Sequence, residues 1–329
     1  MTDIVIIGGG FSGCTAAYEL ALAGGVKVTI VEKTARIGGK VRDYGCKATD
    51  KCNNCGVCLA GGLWENVEKN VNIDILCNSR LVDVTGQAGD FSVIIGIPEG
   101  NRIIDGVHSI VIATGFEEKE APGGHLEIEG KQGIIRGLAL EGICKGRSRD
   151  AMFEKAPGSV AFIQCAGSRD KKEDATYCSR VCCSYSTRAA KVIKQIYPGC
   201  RITFFYMEMQ AVSGGDYFLS MKEEYGIEFI KCRPLKITGG APAAIEFEDP
   251  GSGNRVKREF DLIVLSEGIH PPEDAGMTAE LCGIGQDKYG FLKDGKAGIF
   301  VSGCAKRPAK IEETWSDSIT AAKRIRSEL

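Results

Sequence analysis

The chain has 329 residues, a net charge of −2 and 43% apolar residues. It is too long for one small core and too nearly neutral to favour nucleic acid or an anionic membrane surface as a partner. No run of about 18 uninterrupted apolar residues is present, and the N-terminus enters a strand with no basic-then-apolar export signal, so a cytoplasmic protein without membrane insertion is expected. Its 15 cysteines are unsuited to a disulfide framework in a reducing compartment and point to metal, cluster or redox chemistry. The odd total means that some, such as Cys77, Cys200 or Cys232, are small buried hydrophobes.

Residues 3–7, DIVII, read as an apolar strand. GGGFSG follows, with Gly8, Gly10 and Gly13 in the G-x-G-x-x-G spacing, and a helix pattern runs from about Ser12 to Leu22. A second strand, KVTIVE, ends at Glu32. The glycines serve a tight turn, close approach of backbone to a pyrophosphate, and close helix–strand packing. The helix N-terminus offers N–H donors and partial positive charge to phosphates. Glu32 stands about 20 residues on, where a carboxylate binds ribose hydroxyls. A lone glycine motif is weak, but strand, helix and acid together favour nucleotide binding over a merely structural turn.

KTARIGGK follows at residues 33–40, placing Lys33, Gly39 and Lys40 in a loop with paired glycines. This arrangement resembles the flavoproteins with two dinucleotide-binding domains, the thioredoxin reductase and glutathione reductase group, in which that loop wraps FAD. IVIATG at 110–115 resembles their strand-to-loop motif with Ala113, Thr114 and Gly115, and GIFVSGCA at 298–305 resembles their late strand, with Gly303 followed by Cys304 where the group has Asp. A helix starting near Ile311 is expected to aim its N-terminus at the flavin and to favour an anionic reduced ring. These pieces predict bound FAD.

Between them, GCKATDKCNNCGVCLAGGLW carries Cys46, Cys52, Cys55 and Cys58. The C-x2-C-x2-C core is ferredoxin-like, because a turn wound round a cubane brings every third side chain to one centre. Cys46 is the nearest fourth ligand and Cys77 the fallback. A [4Fe-4S] cluster is the reading; zinc, a redox C-x2-C pair and inert thiols are the alternatives. Trp64, just downstream, reads as a packing residue.

Residues 80–115 and 233–268 share a layout: strand, turn, strand, turn, strand, then a buried strand, DGVHSIVIATG in one and EFDLIVLSEG in the other. Such a duplication is what a pair of nucleotide-binding domains shows. The second copy then begins at SVAFIQCAG, residues 159–167, and its second strand is CRITFFYME, residues 200–208. Superposing the starts puts Gly8 on Cys165 and Glu32 on Tyr206, with Glu208 two residues late. No G-x-G-x-x-G follows. A polar stretch leads instead to YCSRVCC, residues 177–183, so the second copy is not expected to bind NAD(P)H in the usual way. The seven residues read as the start of a helix, with Cys178 and Cys182 at i, i+4 on one face. Cys165, at a strand end facing the helix start, is positioned to complete a four-sulfur cage. An iron–sulfur cluster, zinc and buried thiols of no chemical role all remain open, and adjacent Cys182–Cys183 suits a cluster, whose irons sit at separate corners, better than one tetrahedral ion. Arg169, Arg180 and Arg188 are placed to offset an anionic cluster or are solvated. His108, His125 and His270 read as isolated surface or loop histidines.

QCAGSRD…YCSRVCC closely resembles the A-type chain of heterodisulfide reductase and its relatives in quinone-interacting and sulfur-oxidising complexes. The likeness extends from the glycine loop to SGCAKRPAKIEETWSDSITAA. It implies a thioredoxin-reductase-like FAD core, a [4Fe-4S] cluster on Cys165, Cys178, Cys182 and Cys183, a homodimer, and work as an electron hub beside B- and C-type or other iron–sulfur subunits. The repeated C-x2-C-x2-C-x3-C-P runs of methanogen-type ferredoxin modules do not occur within these 329 residues. Where bifurcating members tend to carry a lysine this chain has Arg188, a fixed charge that implies steady tuning of the flavin.

The expectation is an α/β chain of two Rossmann-like three-layer domains. Residues 1–150 and 269–329 form the FAD domain, with a Cys-rich insertion over about 41–65. Residues 151–268 form a degenerate NAD(P)-type domain carrying the cluster. The expected activity is that of a flavin and iron–sulfur electron-transfer subunit, an oxidoreductase. Its rivals are an NAD(P)H-dependent disulfide reductase using Cys52–Cys55, and a zinc-stabilised FAD-binding structural subunit.

Overall fold

The computed structural model describes residues 1–118, 126–148, 151–210 and 217–329; His125 lies outside them. In chain order the first elements are β1 (Thr2–Ile7), α1 (Phe11–Leu22), β2 (Val26–Val31), α2 (Leu63–Glu68), β3 (Ile73–Leu76), β4 (Arg80–Gln87), β5 (Asp90–Ile97) and β6 (Gly100–Ile112). Then come β7 (Glu127–Glu129), β8 (Ile134–Arg136), α3 (Gly137–Gly146), β9 (Ser159–Ala166), α4 (Cys182–Ile196), β10 (Arg201–Tyr206), α5 (Tyr217–Tyr225) and β11 (Glu228–Lys231). The last are β12 (Lys236–Thr238), β13 (Ala243–Glu248), β14 (Arg255–Phe260), β15 (Leu262–Glu267), α6 (Ala275–Cys282), β16 (Ile299–Val301) and α7 (Ile311–Glu328).

Two compact units result. The first comprises Met1–Arg42, Gly56–Glu117 and His270–Leu329, the second Asp43–Cys55 and Glu118–Ile269. These limits differ from those expected. Residues 118–150 go with the second unit, where β8 pairs in parallel with β15 through Ile134 and Ile263. The Cys-rich insertion divides after Cys55.

The first unit is built on a sheet of order β3-β2-β1-β6-β5-β4, with β16 also paired to β6. β1 is buried on both faces, as a central parallel strand must be. Ile4 and Ile6 join Leu20 of α1 and Ile325 of α7 in one core, while Val5 and Ile7 join Val93, Ile110 and Ile112 in the other, which follows from the two-residue period of a strand. Trp64 packs edge-on to Phe11 at 6.4 Å between ring centres, a packing role as expected.

The second unit holds a parallel sheet of order β11-β10-β9-β15-β8 and a small sheet of order β14-β13-β12-β7. Phe162 and Phe204 stack at 4.7 Å between neighbouring strands in its core. The duplicated layout is present, with one difference. In the first copy the last meander strand and the buried strand are one continuous β6. In the second they separate into β14 and β15 at Asp261, whose Oδ2 accepts the N–H groups of Gly158 at 2.7 Å and Ser159 at 3.0 Å. The side chain caps the start of β9 at the expense of strand continuity.

Candidate cofactor sites

In the first unit the glycine loop is shaped by close contacts. A Cβ on Gly8, at φ +106°, would lie 2.4 Å from the Ala113 carbonyl oxygen, and one on Gly13 would lie 1.9 Å from that of Gly8. Gly38 N–H donates to the Gly9 carbonyl at 2.7 Å and a Cβ on Gly39 would sit 3.0 Å from Gly10 Cα, so the second glycine loop folds onto the first. Glu32 accepts the Gly9 N–H on Oε2 at 2.8 Å, and the Thr34 N–H and hydroxyl on Oε1 at 2.8 and 2.7 Å. Gly9, Thr34 and Gly38 were missed from the sequence; the unbroken GGG run was the available signal. Gly10 caps α1 without a side chain and has open space where a Cβ would go, beside the N–H groups of the helix's first turn. The Thr114 hydroxyl is buried with no hydrogen-bond partner. An orphaned hydroxyl, a cradle that any side chain would fill and an acid at the second strand's end fit a dinucleotide.

The other expected positions have defined partners. Lys33 pairs with Glu117 at 3.1 Å, and Lys40 lies over the Phe116 ring at 5.2 Å, next to Gly115. Ser12 hydrogen-bonds Ser302 and Ser318, both at 2.9 Å, tying the start of α1 to the end of β16 and to α7. Gly303, at φ +66°, could not carry a Cβ without pressing Ser12 and Thr314 at 3.0 Å. The Cys304 thiol donates to the Ala309 carbonyl at 3.5 Å, and desolvation pushes it up to about 11, so a neutral thiol stands where the flavoprotein group has a carboxylate. α7 begins at Ile311, but its first turn carries Glu312 and Glu313, and Glu313 accepts the Lys310 N–H at 2.9 Å. These carboxylates offset the positive end of the helix dipole that the sequence pattern aims at the flavin.

In the second unit Cys165 occupies a bulge: Gln164 pairs with Ser266 and Ala166 with Glu267, and Cys165 between them is left-handed at φ +59°. Cys178 does not lie on a helix, contrary to the i, i+4 expectation. α4 starts only at Cys182, because Ser179 turns inward to bond Ser168 at 2.7 Å and the Ile269 N–H at 2.9 Å, and Arg180 is left-handed at φ +63°. Cys165, Cys182 and Cys183 are buried and Cys178 half-buried. The Cys182 thiol lies in hydrogen-bond contact with both Cys165 and Cys183, which pushes Cys182 up and draws the other two down, Cys183 to about 7. Burial raises Cys178, against the Arg180 N–H, which donates to its sulfur at 3.3 Å. The Arg169 charge also reaches Cys165, Cys178 and Cys183, while its guanidinium pairs with Glu208 at 3.1 Å. Glu208 therefore has a partner of its own in place of a ribose.

The other cysteine stretch repeats one detail. Asn54 is left-handed at φ +48° and its N–H donates to Cys52 Sγ at 3.4 Å, as that of Arg180 does to Cys178. Cys46 and Cys52 are exposed and Cys55 is half-buried, all in the second unit. Cys58 belongs to the first unit, in a 3-10 turn, Val57–Ala60, that packs on α7. Cys77 and Cys232 are half-buried and Cys200 is buried; burial raises all three. His108 Nδ1 lies 2.8 Å from the Ser109 hydroxyl, and His270 is buried and pairs its backbone with Glu117. Among the described residues no group of three or more His, Cys, Asp or Glu side chains is arranged to hold a metal ion. The soft donor set and the N–H···S turns do fit sulfur–iron chemistry.

Residues 6–57 match the family described as NAD(P)-binding Rossmann-like domain. An A-type iron–sulfur chain of CoB–CoM heterodisulfide reductase from Methanopyrus kandleri is 26% identical over 99% of this chain and 64% of its own length. The A-type chain of the H2:CoB–CoM heterodisulfide,ferredoxin reductase from Methanothermobacter marburgensis is 25% identical over 97% of this chain and 63% of its own. The chain resembles the A-type chains of heterodisulfide reductases. It spans somewhat under two thirds of the length of these relatives. Thioredoxin reductase from Lactococcus lactis shares the fold, with a TM-score of 0.67 and 19% identity over 100% of both chains. No helix among the described residues is long and apolar enough to cross a membrane. Unlike the nucleotide cradle, which begins within the Rossmann-like match, the Cys165 group of this heterodisulfide-reductase-like chain falls outside residues 6–57 and rests on its own geometry.

Proposed function

We propose that the chain is an oxidoreductase subunit that carries electrons between a flavin and iron–sulfur centres. FAD is seated on Gly8–Gly10, Gly13, Glu32, Gly38–Gly39 and Thr114. One [4Fe-4S] cluster is held by Cys165, Cys178, Cys182 and Cys183, and a second draws on the segment with Cys46, Cys52 and Cys55. Bound FAD supplies two-electron chemistry and the clusters one-electron transfer; the protein supplies binding, spacing and tuning. The protein works as a cytoplasmic homodimer beside B- and C-type or other iron–sulfur subunits of a heterodisulfide-reductase-like complex.

One observation carries this reading: the position equivalent to Gly8 is a cysteine that keeps positive φ, with three further cysteines around it and no glycine loop for a second nucleotide. In the first copy the turn at Gly8, whose own N–H goes to the Val31 carbonyl, leads to the first-turn N–H groups of α1 that would bind phosphate; at the equivalent place Cys165 presents a sulfur. The site's own residues orient, desolvate and hydrogen-bond. Arg169 sets a positive charge beside the sulfurs, and the Arg180 N–H helps hold Cys178 as thiolate against its burial.

Anaerobic purification with flavin, iron and sulfide assay, and EPR after dithionite, tests the proposal. FAD with iron and acid-labile sulfide, and a cluster signal lost in Cys182→Ser, is the expected result. Zinc without iron, or rapid flavin bleaching by NADH or NADPH in an iron-free protein, overturns it.

A further inference from the structure

Residues 43–55 are fastened to α3 and α4 by side chains distant in sequence. The Arg147 guanidinium donates to the carbonyls of Cys46 and, at 2.8 Å, Ala48. Lys47 is buried and pairs with Glu141. A Cβ on Gly45 would lie 2.3 Å from Lys145 N, so the chain there runs directly against α3. Asn53 Nδ2 donates to the Lys47 carbonyl at 2.7 Å, folding the segment on itself. α4 contributes Arg188, whose Nε donates to the Asn53 carbonyl at 2.8 Å and whose charge also acts on the Glu141 carboxylate. Besides the flavin tuning that the resemblance implied for it, this arginine grips the turn between Cys52 and Cys55, and it stands six and five residues after Cys182 and Cys183. At 1.5 Å rise per residue that is about 8–9 Å along the axis of α4.

We propose that Arg188 is a positioning residue that locks the Cys52–Cys55 turn to the helix beginning with Cys182 and Cys183, so that the two cysteine groups of the second unit are held at a fixed separation. The inference rests on the electron-transfer reading for its purpose, but the anchor itself does not depend on bound metal. An arginine suits it because its planar guanidinium is permanently charged and holds its Nε–H in a fixed direction toward the Asn53 carbonyl, whereas a lysine offers one flexible point charge.

The test compares full-length wild type, Arg188→Met and Arg188→Lys by two readouts. The first is backbone hydrogen exchange of residues 43–55 in the iron-free protein. The second is iron per FAD, with the cluster midpoint potentials, in protein purified without oxygen. Arg188→Met should speed exchange of that segment about tenfold or more, the loss of a hydrogen bond from a charged donor, while leaving β9 and β10 unchanged. Arg188→Lys should recover part of the protection. Iron should fall by up to about half with FAD retained, and the remaining N-terminal centre should shift in potential. Exchange within about twofold of wild type in Arg188→Met overturns the anchor, whatever the iron content. An iron-free wild type with intact protection of 43–55 overturns the electron-transfer reading and leaves the anchor standing. Should Arg188→Met not fold, the Arg188→Lys exchange profile decides alone: wild-type protection overturns the anchor, and partial loss confined to 43–55 supports it.

Discussion

Gly8 and Cys165 close the first strands of the two repeats with the same sign of backbone rotation, φ +106° and +59°. For glycine this conformation is free; for any residue with a Cβ it costs about 1 kcal/mol or more. The second copy has therefore kept the turn of a phosphate loop while giving up the residue that makes the turn easy. Strain retained at this buried position supports the ligand role proposed for its sulfur. In iron-free protein, Cys165→Gly should be more stable than Cys165→Ala by about 1 kcal/mol, the reverse of the usual order for a strand. Urea denaturation of the pair measures it. An alanine variant as stable as the glycine one would mean that the left-handed turn does not persist in solution.

The nucleotide cradle and the duplication were legible because both write themselves in local pattern: glycine spacing, apolar strands, and a meander before a buried strand. The start of α4 was not. YCSRVCC looks helical by composition, yet Ser179 finds partners at Ser168 and Ile269 and Arg180 goes left-handed, so the helix waits for Cys182. The unit limits were illegible for a related reason. Residues 43–55 join the second unit through bonds spanning 94 residues, from Lys47 to Glu141, and 135 residues, from Arg188 to Asn53. Neither a period of 2 nor one of 3.6 carries such long-range pairing.

The Lys47–Glu141 pair is buried on both sides, with side-chain exposures of 3% and 9%. Burial pushes the Glu141 carboxyl up, while Lys47 and Arg188 pull it down. Removing one partner leaves an uncompensated buried charge, so Lys47→Met should cost about 3–5 kcal/mol. The double variant Lys47→Met/Glu141→Leu should recover most of that loss, since well-packed apolar residues often replace such pairs at little cost. A denaturation cycle over the four proteins reads the coupling; purely additive losses would show that the pair does not act as a unit.

Glu267 accepts the Arg136 Nε–H at 2.7 Å on one carboxyl oxygen, while the other is buried without a partner. Burial raises its pKa from 4.5 to about 7, with Arg136 opposing and Glu118 adding to the rise. Between about 4.5 and 7 the folded chain thus holds a proton that the unfolded chain has released. Stability from this group must fall as pH rises through that window, by up to about 3 kcal/mol. Glu267→Gln should flatten that part of the stability profile, measured by urea midpoints from about pH 4.5 to 8. An unchanged slope would show that Arg136 keeps the carboxylate ionised.

Asn54 and Arg180 make the same turn in separate cysteine groups: left-handed, at φ +48° and +63°, each donating its N–H to the sulfur two residues earlier. A residue without a Cβ takes this conformation at no cost, whereas a β-branched one is penalised by about 1–2 kcal/mol and tends to leave it. Leaving it swings the N–H away from Cys52 or Cys178, and a sulfur that loses its donor is a weaker thiolate and a weaker ligand. Comparing glycine with valine at each position cancels the loss of the native side chain. Asn54→Gly and Arg180→Gly should therefore hold more iron after anaerobic desalting than Asn54→Val and Arg180→Val, and should be more stable by about 1–2 kcal/mol. If the proposed clusters are present, the Asn54 pair should alter only the N-terminal one and the Arg180 pair only the one proposed on Cys165, Cys178, Cys182 and Cys183, each resolved by its own EPR signal. Equal iron in the glycine and valine proteins would remove the N–H···S turn from the proposed account of iron binding.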